Sequence, residues 1–327
     1  MRLIALLAFP LFSNLVSAAA VATTETAPAP ATSSATVTTP PMPLPQAGFT
    51  DLSKKCMESL SAFPGKIDTA TLQKACDKVQ MEATCVSVDG RPIFHYDKIA
   101  SNPDAKKVLV FSLIHGDETP AGAVGRYWME RLESFDPRNS WRVIPVLNPD
   151  GVKAKTRTNG NNIDLNRNFP TKDWNQLAQT YWKKQTKSNP RRFPGEMAGS
   201  EPETKCAIKH IEDFKPDFIV SVHTPLKVLD FDGPKVKFPK YDYLPWRSLG
   251  HFTGSLGRYM WFERQTPVLT TELKEDLPQT LGPLEKLQDV IGTLVKLELK
   301  AKHAELDDST KSVVKNQFAP SPTSISK

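Results

Sequence analysis

Val108-Leu-Val-Phe-Ser-Leu-Ile-His115-Gly-Asp-Glu118 is a run of β-favouring apolar residues that stops abruptly at a histidine, a glycine and two acids. The pattern predicts a buried strand ending in a turn that carries polar side chains. A histidine and a glutamate three residues apart, just past a strand end, can aim an imidazole nitrogen and a carboxylate at one point, as a zinc ion requires of its ligands. His-x-x-Glu also arises by chance, as a loop histidine beside an acid favoured by a helix dipole. The pair gains meaning only from its surroundings.

Downstream, Thr119-Pro120 opens a helix whose body over 122–135 has apolar residues at helical spacing, with proline where its missing N–H costs nothing. A second buried strand, 141–147, ends at Asn148-Pro-Asp-Gly151, a turn signal. A third, 217–223, follows a helix over 201–214 whose start, Ser200-Glu-Pro-Glu203, has the spacing of a capping box. A fourth, 267–272, leads to a long amphipathic helix ending near His303. Upstream, a helix over 69–79 and strand-like pieces at 85–88 and 92–96 complete the pattern. Strands alternating with helices imply an α/β sheet, mostly parallel and covered on both faces, with its chemistry at the strand ends. His115, Glu118, His223 and Glu272 each fall at or just beyond such an end, so one sheet edge can gather all four.

Two imidazoles and a carboxylate form the His₂Glu set of a catalytic zinc with a fourth position open to water, and a further glutamate beside it can take that water's proton. Attack on an amide carbonyl creates an oxyanion that requires a nearby cation. The stretch Arg157-Thr-Asn-Gly-Asn-Asn-Ile-Asp-Leu-Asn-Arg167-Asn-Phe-Pro170 supplies two guanidiniums, the side chains best suited to two-pronged binding of a carboxylate.

The 327 residues, 39% apolar and 24% charged, suffice for a large core and exclude a disordered or fibrous chain. A formal charge of +6 suits an acidic partner, but the basic residues are scattered and no nucleic-acid module is present. Residues 1–18 read as a signal peptide: one positive charge, a short apolar core broken by Pro10 and Asn14, and a cleavage site at Val16-Ser17-Ala18. Export to the periplasm or outside the cell is therefore expected, with no membrane span after cleavage. Residues 19–48 are Ala, Thr, Val, Ser and Pro almost throughout and read as a disordered spacer; 49–305 forms the catalytic domain, 49–100 being its N-terminal part, and 306–327 a flexible tail. Four cysteines in an oxidising compartment favour two disulfides. Three pairings are possible, and Cys76 with Cys85 closing a small loop is the one the spacing favours. His95, His210, His251 and His303 match no motif and read as surface or satisfied core histidines.

Taken together, His115/Glu118, Asn148-Pro-Asp-Gly, the block from Arg157 to Asn166-Arg167, Ser-Val-His223 and Thr-x-Glu272 before a long helix occur in an order that resembles the zinc carboxypeptidase family. The resemblance spans roughly 105–300 and implies a mixed, mostly parallel eight-stranded sheet flanked by helices. It further implies one zinc ion per chain held by His115, Glu118 and His223, with Glu272 as general base and acid. Arg157 would stabilise the oxyanion, Asn166 and Arg167 would hold the substrate's terminal carboxylate, and Asp164 would bond the first zinc histidine, fixing its ring orientation and raising its basicity. Departures bear on substrate. Asp117 stands where the digestive members have an arginine, and Tyr259 is the nearest candidate for their substrate-capping tyrosine. His-Gly-Asp-Glu, the segment Pro194-Gly-Glu-Met-Ala-Gly-Ser-Glu-Pro-Glu-Thr204 and Thr253-Gly-Ser-Leu-Gly257 look like the bacterial branch that includes murein peptide amidases. These cut between γ-D-glutamate and meso-diaminopimelate, whose zwitterionic side chain would need both charges in its pocket; Asp230, Asp232 and Arg258 are the candidates. The expected partner is thus a short, wall-derived peptide and no nucleic acid. The alternatives are a general metallocarboxypeptidase and, from another class, a non-catalytic binder of wall peptides, against which the intact Glu272 argues.

Overall fold

A computed structural model describes residues 46–276 and 282–297, all within a unit spanning Leu44–Lys327. In chain order its strands are β1 (Tyr96–Lys98), β2 (Lys107–Ser112), β3 (Ser140–Ile144), β4 (Phe218–His223), β5 (Val228–Asp232) and β6 (Val268–Glu272). Its helices are α1 (Gln46–Ser61), α2 (Thr69–Cys76), α3 (Thr119–Glu133), α4 (Pro149–Ala154), α5 (Trp174–Gln185) and α6 (Pro202–Phe214), followed by a helix over 282–297. The strands form one sheet in the order β1-β3-β2-β4-β6-β5, in which β3, β2, β4 and β6 run parallel and the two edge strands antiparallel.

The opening apolar run fixes this arrangement because both of its faces are covered. Val108 and Val110 join Val220, Leu269, Leu72, Trp128 and Ile291 in one core layer. Leu109 and Phe111 point the other way and join Ile219, Val268, Ile211 and Phe214 beneath α6. A strand buried on both sides reads as a continuous apolar stretch, as a central parallel strand should. Burial of so many branched side chains, each contributing about 1.5–3 kcal/mol, orders the sheet whose edge carries the polar residues.

Several expectations need correction. Eight strands were implied, and six are present among the described residues. Asn148-Pro-Asp-Gly is no free turn: Asn148 caps α4 through its side chain, which accepts from Gly151 N at 2.9 Å. The capping box at Ser200 does not form, because Ser200 Oγ donates to Glu201 Oε1 at 2.6 Å and α6 starts without a side-chain cap. Cysteine pairing follows packing rather than sequence proximity. Cys56–Cys76 ties α1 to α2, and Cys85–Cys206 spans 121 residues to join the segment before β1 to α6, so the expected Cys76–Cys85 loop is absent. The first helix begins at Gln46, inside the stretch read as spacer. The signal peptide, the spacer up to residue 45, His303 and the tail lie outside the described residues. None of the described helices is long and apolar enough to cross a membrane.

Candidate metal centre and its pocket

The chain leaves β2 through Leu113, which adopts a left-handed backbone (φ 53°) that a leucine takes up at a cost of roughly 1–2 kcal/mol. Complete burial of Leu113 and hydrogen bonds to the Leu113 and Ser112 carbonyls from Asn148 N (3.0 Å) and Leu147 N (3.1 Å) hold it there. Gly116 then passes so close to α4 that a Cβ would collide with the backbone of Gly151 and Val152. This turn delivers His115 and Glu118 beside the end of β4, where His223 lies in register with Glu272 of β6.

His115 Nδ1 lies 2.8 Å from Glu118 Oε1 and 3.1 Å from His223 Nδ1, and His223 Nδ1 lies 2.9 Å from Glu118 Oε2. Two ligands on a tetrahedral zinc with bonds of ~2.0–2.1 Å stand about 3.3 Å apart, so the donor spacing fits an ion. The other ring nitrogens support the same use. Asp164 Oδ1, which only accepts, sits 3.1 Å from His115 Nε2, and would keep the proton on that nitrogen when the Nδ1 lone pair holds a cation. His223 Nε2 meets Ser221 Oγ at 2.9 Å. Two buried Nδ1 atoms facing each other across a carboxylate make a set that could hold a cation.

Asp164 is completely buried, and burial would raise its pKa; Arg157 and His115 outweigh that and hold it well below the usual carboxylate range. Arg157 Nε donates to Asp164 Oδ2 at 3.0 Å, while its Nη1 stands 3.6 Å from Glu118 Oε1, so its guanidinium faces the cluster.

These residues open on a cavity of about 350 Å³ whose lining also includes Asn166, Arg167, Arg192, Asp230, Asp232, Phe252 and Glu272. Asn166 is fixed by Leu256 N, which donates to its Oδ1 at 2.9 Å. Arg167 lies over the Phe252 ring, 4.5 Å from its centroid, and its buried Nε has no hydrogen-bond partner among the described residues. Burial lowers the Arg167 pKa. Asp230 and Asp232 share one face of β5. Burial first, and then Asp230, push the Asp232 carboxyl up to about 6, against the pull of His251, whose Nδ1 lies 2.8 Å away but off the line of a hydrogen bond. Gly257 presses against Asp232 so closely that a Cβ there would strike its carboxylate.

The four strand-end residues thus converge, and Arg157, Asp164, Asn166 and Arg167 join them. Two expected residues do not. Tyr259 is buried in the α6-side core against Phe169, with its hydroxyl bonded to Arg264, and is corrected to a packing residue. Arg258 is held outside the lining by Asp173 at 2.7 Å and the Phe262 ring. Sequence reading missed Arg192 and Phe252, which arrive on segments that have no period to betray them.

A family model described as zinc carboxypeptidase matches residues 69–233, a span that holds the metal cluster, Arg157 and Asp164 and stops short of Glu272. The chain belongs to the zinc carboxypeptidase family, and is a zinc-dependent hydrolase. Within the family it is similar to murein peptide amidase A of Vibrio campbellii, 31% identical over 199 residues that cover 57% of this chain and 76% of that protein. It is 29% identical to murein peptide amidase A of Escherichia coli K12 over 147 residues, 44% of this chain and 59% of that protein. Carboxypeptidase A from Helicoverpa armigera shares the fold, with a TM-score of 0.51 at 17% identity over 79% of this chain and 81% of that one.

Proposed function

We propose that the chain is an exported metallopeptidase whose catalytic domain, over 49–305, cleaves the amide between γ-linked D-glutamate and meso-diaminopimelate in murein peptides. The observation that carries the substrate is the mixture of charge in one pocket: Arg167 and Arg192 beside Asp230 and Asp232 suit a residue that ends in a carboxylate and bears a zwitterionic side chain. The relatives named murein peptide amidase A favour a murein peptide as the substrate. Export is supported by the pattern of residues 1–18 and by two disulfides, which persist in oxidising compartments.

In this reading His115, Glu118 and His223 would hold one zinc ion, which when bound supplies the Lewis acidity that makes a water nucleophilic near neutral pH and polarises the scissile carbonyl. Glu272, whose Oε2 accepts weakly from Leu226 N at 3.3 Å, keeps carboxylate capacity free to take the attacking water's proton and return it to the leaving amine. Arg157, braced by Asp164, offers its remaining N–H groups to the developing oxyanion. Arg167 and Asn166, side by side in the lining, receive the terminal carboxylate. Asp230 and Asp232 take the ammonium of the diaminopimelate side chain.

Two acids in the pocket also favour a second reading, a carboxypeptidase that releases lysine or arginine from ordinary peptides. Mass spectrometry of zinc-loaded protein incubated with L-Ala-γ-D-Glu-meso-diaminopimelate and with α-linked dipeptides ending in lysine or norleucine separates the two. Release of diaminopimelate alone is expected, with Glu272→Gln lowering turnover about 10²–10⁴-fold at unchanged zinc content. Preferential release of lysine would replace the murein reading with the second one.

A further inference from the structure

Arg167 and Arg192 line the pocket with no ion-pair partner among the described residues, whereas Arg157 has two. Arg192 sits at the end of a short turn, Pro190–Arg192, that is moored on several sides. Asn189 Oδ1 accepts from Arg191 N at 3.0 Å, and Trp182 Nε1 donates to Asn189 O at 2.8 Å. The neighbouring Arg191 donates through Nη2 to Asp117 Oδ2 at 2.7 Å, and Asp117 stands between His115 and Glu118 in the metal loop. Phe193 O then accepts from Asp164 N at 2.8 Å. The turn is therefore fixed against the wall that carries the metal cluster. Its last side chain is exposed, cationic and turned into the cavity.

Strand order tells which side of the substrate this wall serves. Along the sheet, the β2 end with His115 and Asp117 lies on one side, His223 of β4 and Glu272 of β6 come next, and β5 with Asp230 and Asp232 closes the far edge. In the proposed orientation the amine half of the substrate lies toward β5, with its terminal carboxylate on Arg167 and its ammonium on the two aspartates. The acyl half then lies toward β2. Arg167 and Arg192 also repel each other, a tension that a substrate with several carboxylates relieves.

The acyl half of a γ-linked glutamate differs from that of an ordinary peptide in one charge. Its α-carboxylate stays free, two methylenes and a methine beyond the scissile carbonyl. Resting on the murein reading, we propose that Arg192 binds this free α-carboxylate and so selects γ-linked over α-linked amides. Arg191 and Asp117 act as positioning residues that aim the turn.

The test compares zinc-loaded wild type, Arg192→Ala and Arg192→Lys on three synthetic peptides: L-Ala-γ-D-Glu-meso-diaminopimelate, its D-isoglutaminyl analogue with a neutral carboxamide on the acyl side, and the analogue with L-lysine in place of diaminopimelate. Arg192→Ala should lower kcat/KM for the first peptide on the order of tenfold more than for the carboxamide analogue, with Arg192→Lys restoring part of the difference. An equal loss on the carboxylate and carboxamide peptides, or a loss that appears only when diaminopimelate is present, would overturn the assignment while leaving the murein reading intact. A wild type that cleaves α-linked peptides and ignores all three would overturn both together.

Discussion

The two sides of the pocket use their polar atoms in opposite ways. On the metal side each ring nitrogen of His115 and His223 meets an oxygen, and Asp164 serves a histidine, an arginine and the Asn166 backbone N–H at once. On the substrate side, among the described residues, Arg167 Nε is buried without a hydrogen bond, Asp232 Oδ1 has only the ill-aligned His251 imidazole beside it, and Arg192 has no ion pair. A buried polar atom left unmet costs about 1–3 kcal/mol. The saturated side is a self-contained holder for an ion. The other side presents Arg167 and Arg192, without ion pairs among the described residues, to the cavity from which a ligand would arrive.

Substitutions on the two sides should therefore fail differently. Asp164→Ala removes a completely buried charge from three partners and leaves Arg157 facing the cluster without its main counter-charge. It should cost roughly 3–5 kcal/mol of stability, read by urea unfolding, and weaken zinc binding about 10–100-fold, read by competition with a chelator. Stability and zinc affinity within error of wild type would break the contrast at its strong end. Arg167→Ala removes a charge whose Nε is already unmet, so its effect on stability should be small. Its effect on binding should be larger: a free-carboxylate peptide should lose about 10–150-fold in affinity, the equivalent of a charge-assisted hydrogen bond worth ~1.5–3 kcal/mol, while a C-terminally amidated peptide should bind the variant and wild type alike. Equal losses on both peptides would remove Arg167 as the carboxylate anchor.

The saturated side was the legible one. His115, Glu118, His223 and Glu272 sit at strand ends, and strands buried on both faces declare themselves as apolar runs, so their ends can be read directly. Register did the rest, since pairing of β4 with β6 places His223 opposite Glu272. On the unsaturated side only Asn166 and Arg167 are announced by a motif; the rest is built by β5 and by the segments over 189–193 and 249–257, where position depends on tertiary bonds such as Arg191–Asp117 and Leu256–Asn166 that no local pattern announces. Asp230 and Asp232 were named as candidates from their charge alone, without the strand that puts both on one face. Tyr259 failed for a related reason: proximity in sequence to the pocket loop says nothing about which way a ring packs. The cysteines teach the same lesson, because contact between α1 and α2, rather than the short loop between Cys76 and Cys85, decided the pairing.

The smallest expected effect tests the far edge of the unsaturated side. The Asp232 carboxyl is pushed up to about 6 by burial and by Asp230, with His251 opposing. A raised carboxyl is neutral below that value, so its charge, and with it the attraction for a substrate ammonium, is lost as pH falls from 7 to 5. One carboxyl titrating near 6 changes its ionised fraction by about tenfold over that interval. The chemistry at the metal centre acts equally on two peptides that differ only in the distal ammonium. The ratio of kcat/KM for a peptide ending in meso-diaminopimelate to that for one ending in 2-aminopimelate isolates the pocket from the chemistry. That ratio should fall by up to about tenfold between pH 7 and pH 5, and Asp232→Asn should give a low, nearly flat ratio. A ratio independent of pH in wild type would mean that the aspartates do not read the ammonium, and that this side of the pocket recognises the substrate through its carboxylates on Arg167 and Arg192 alone.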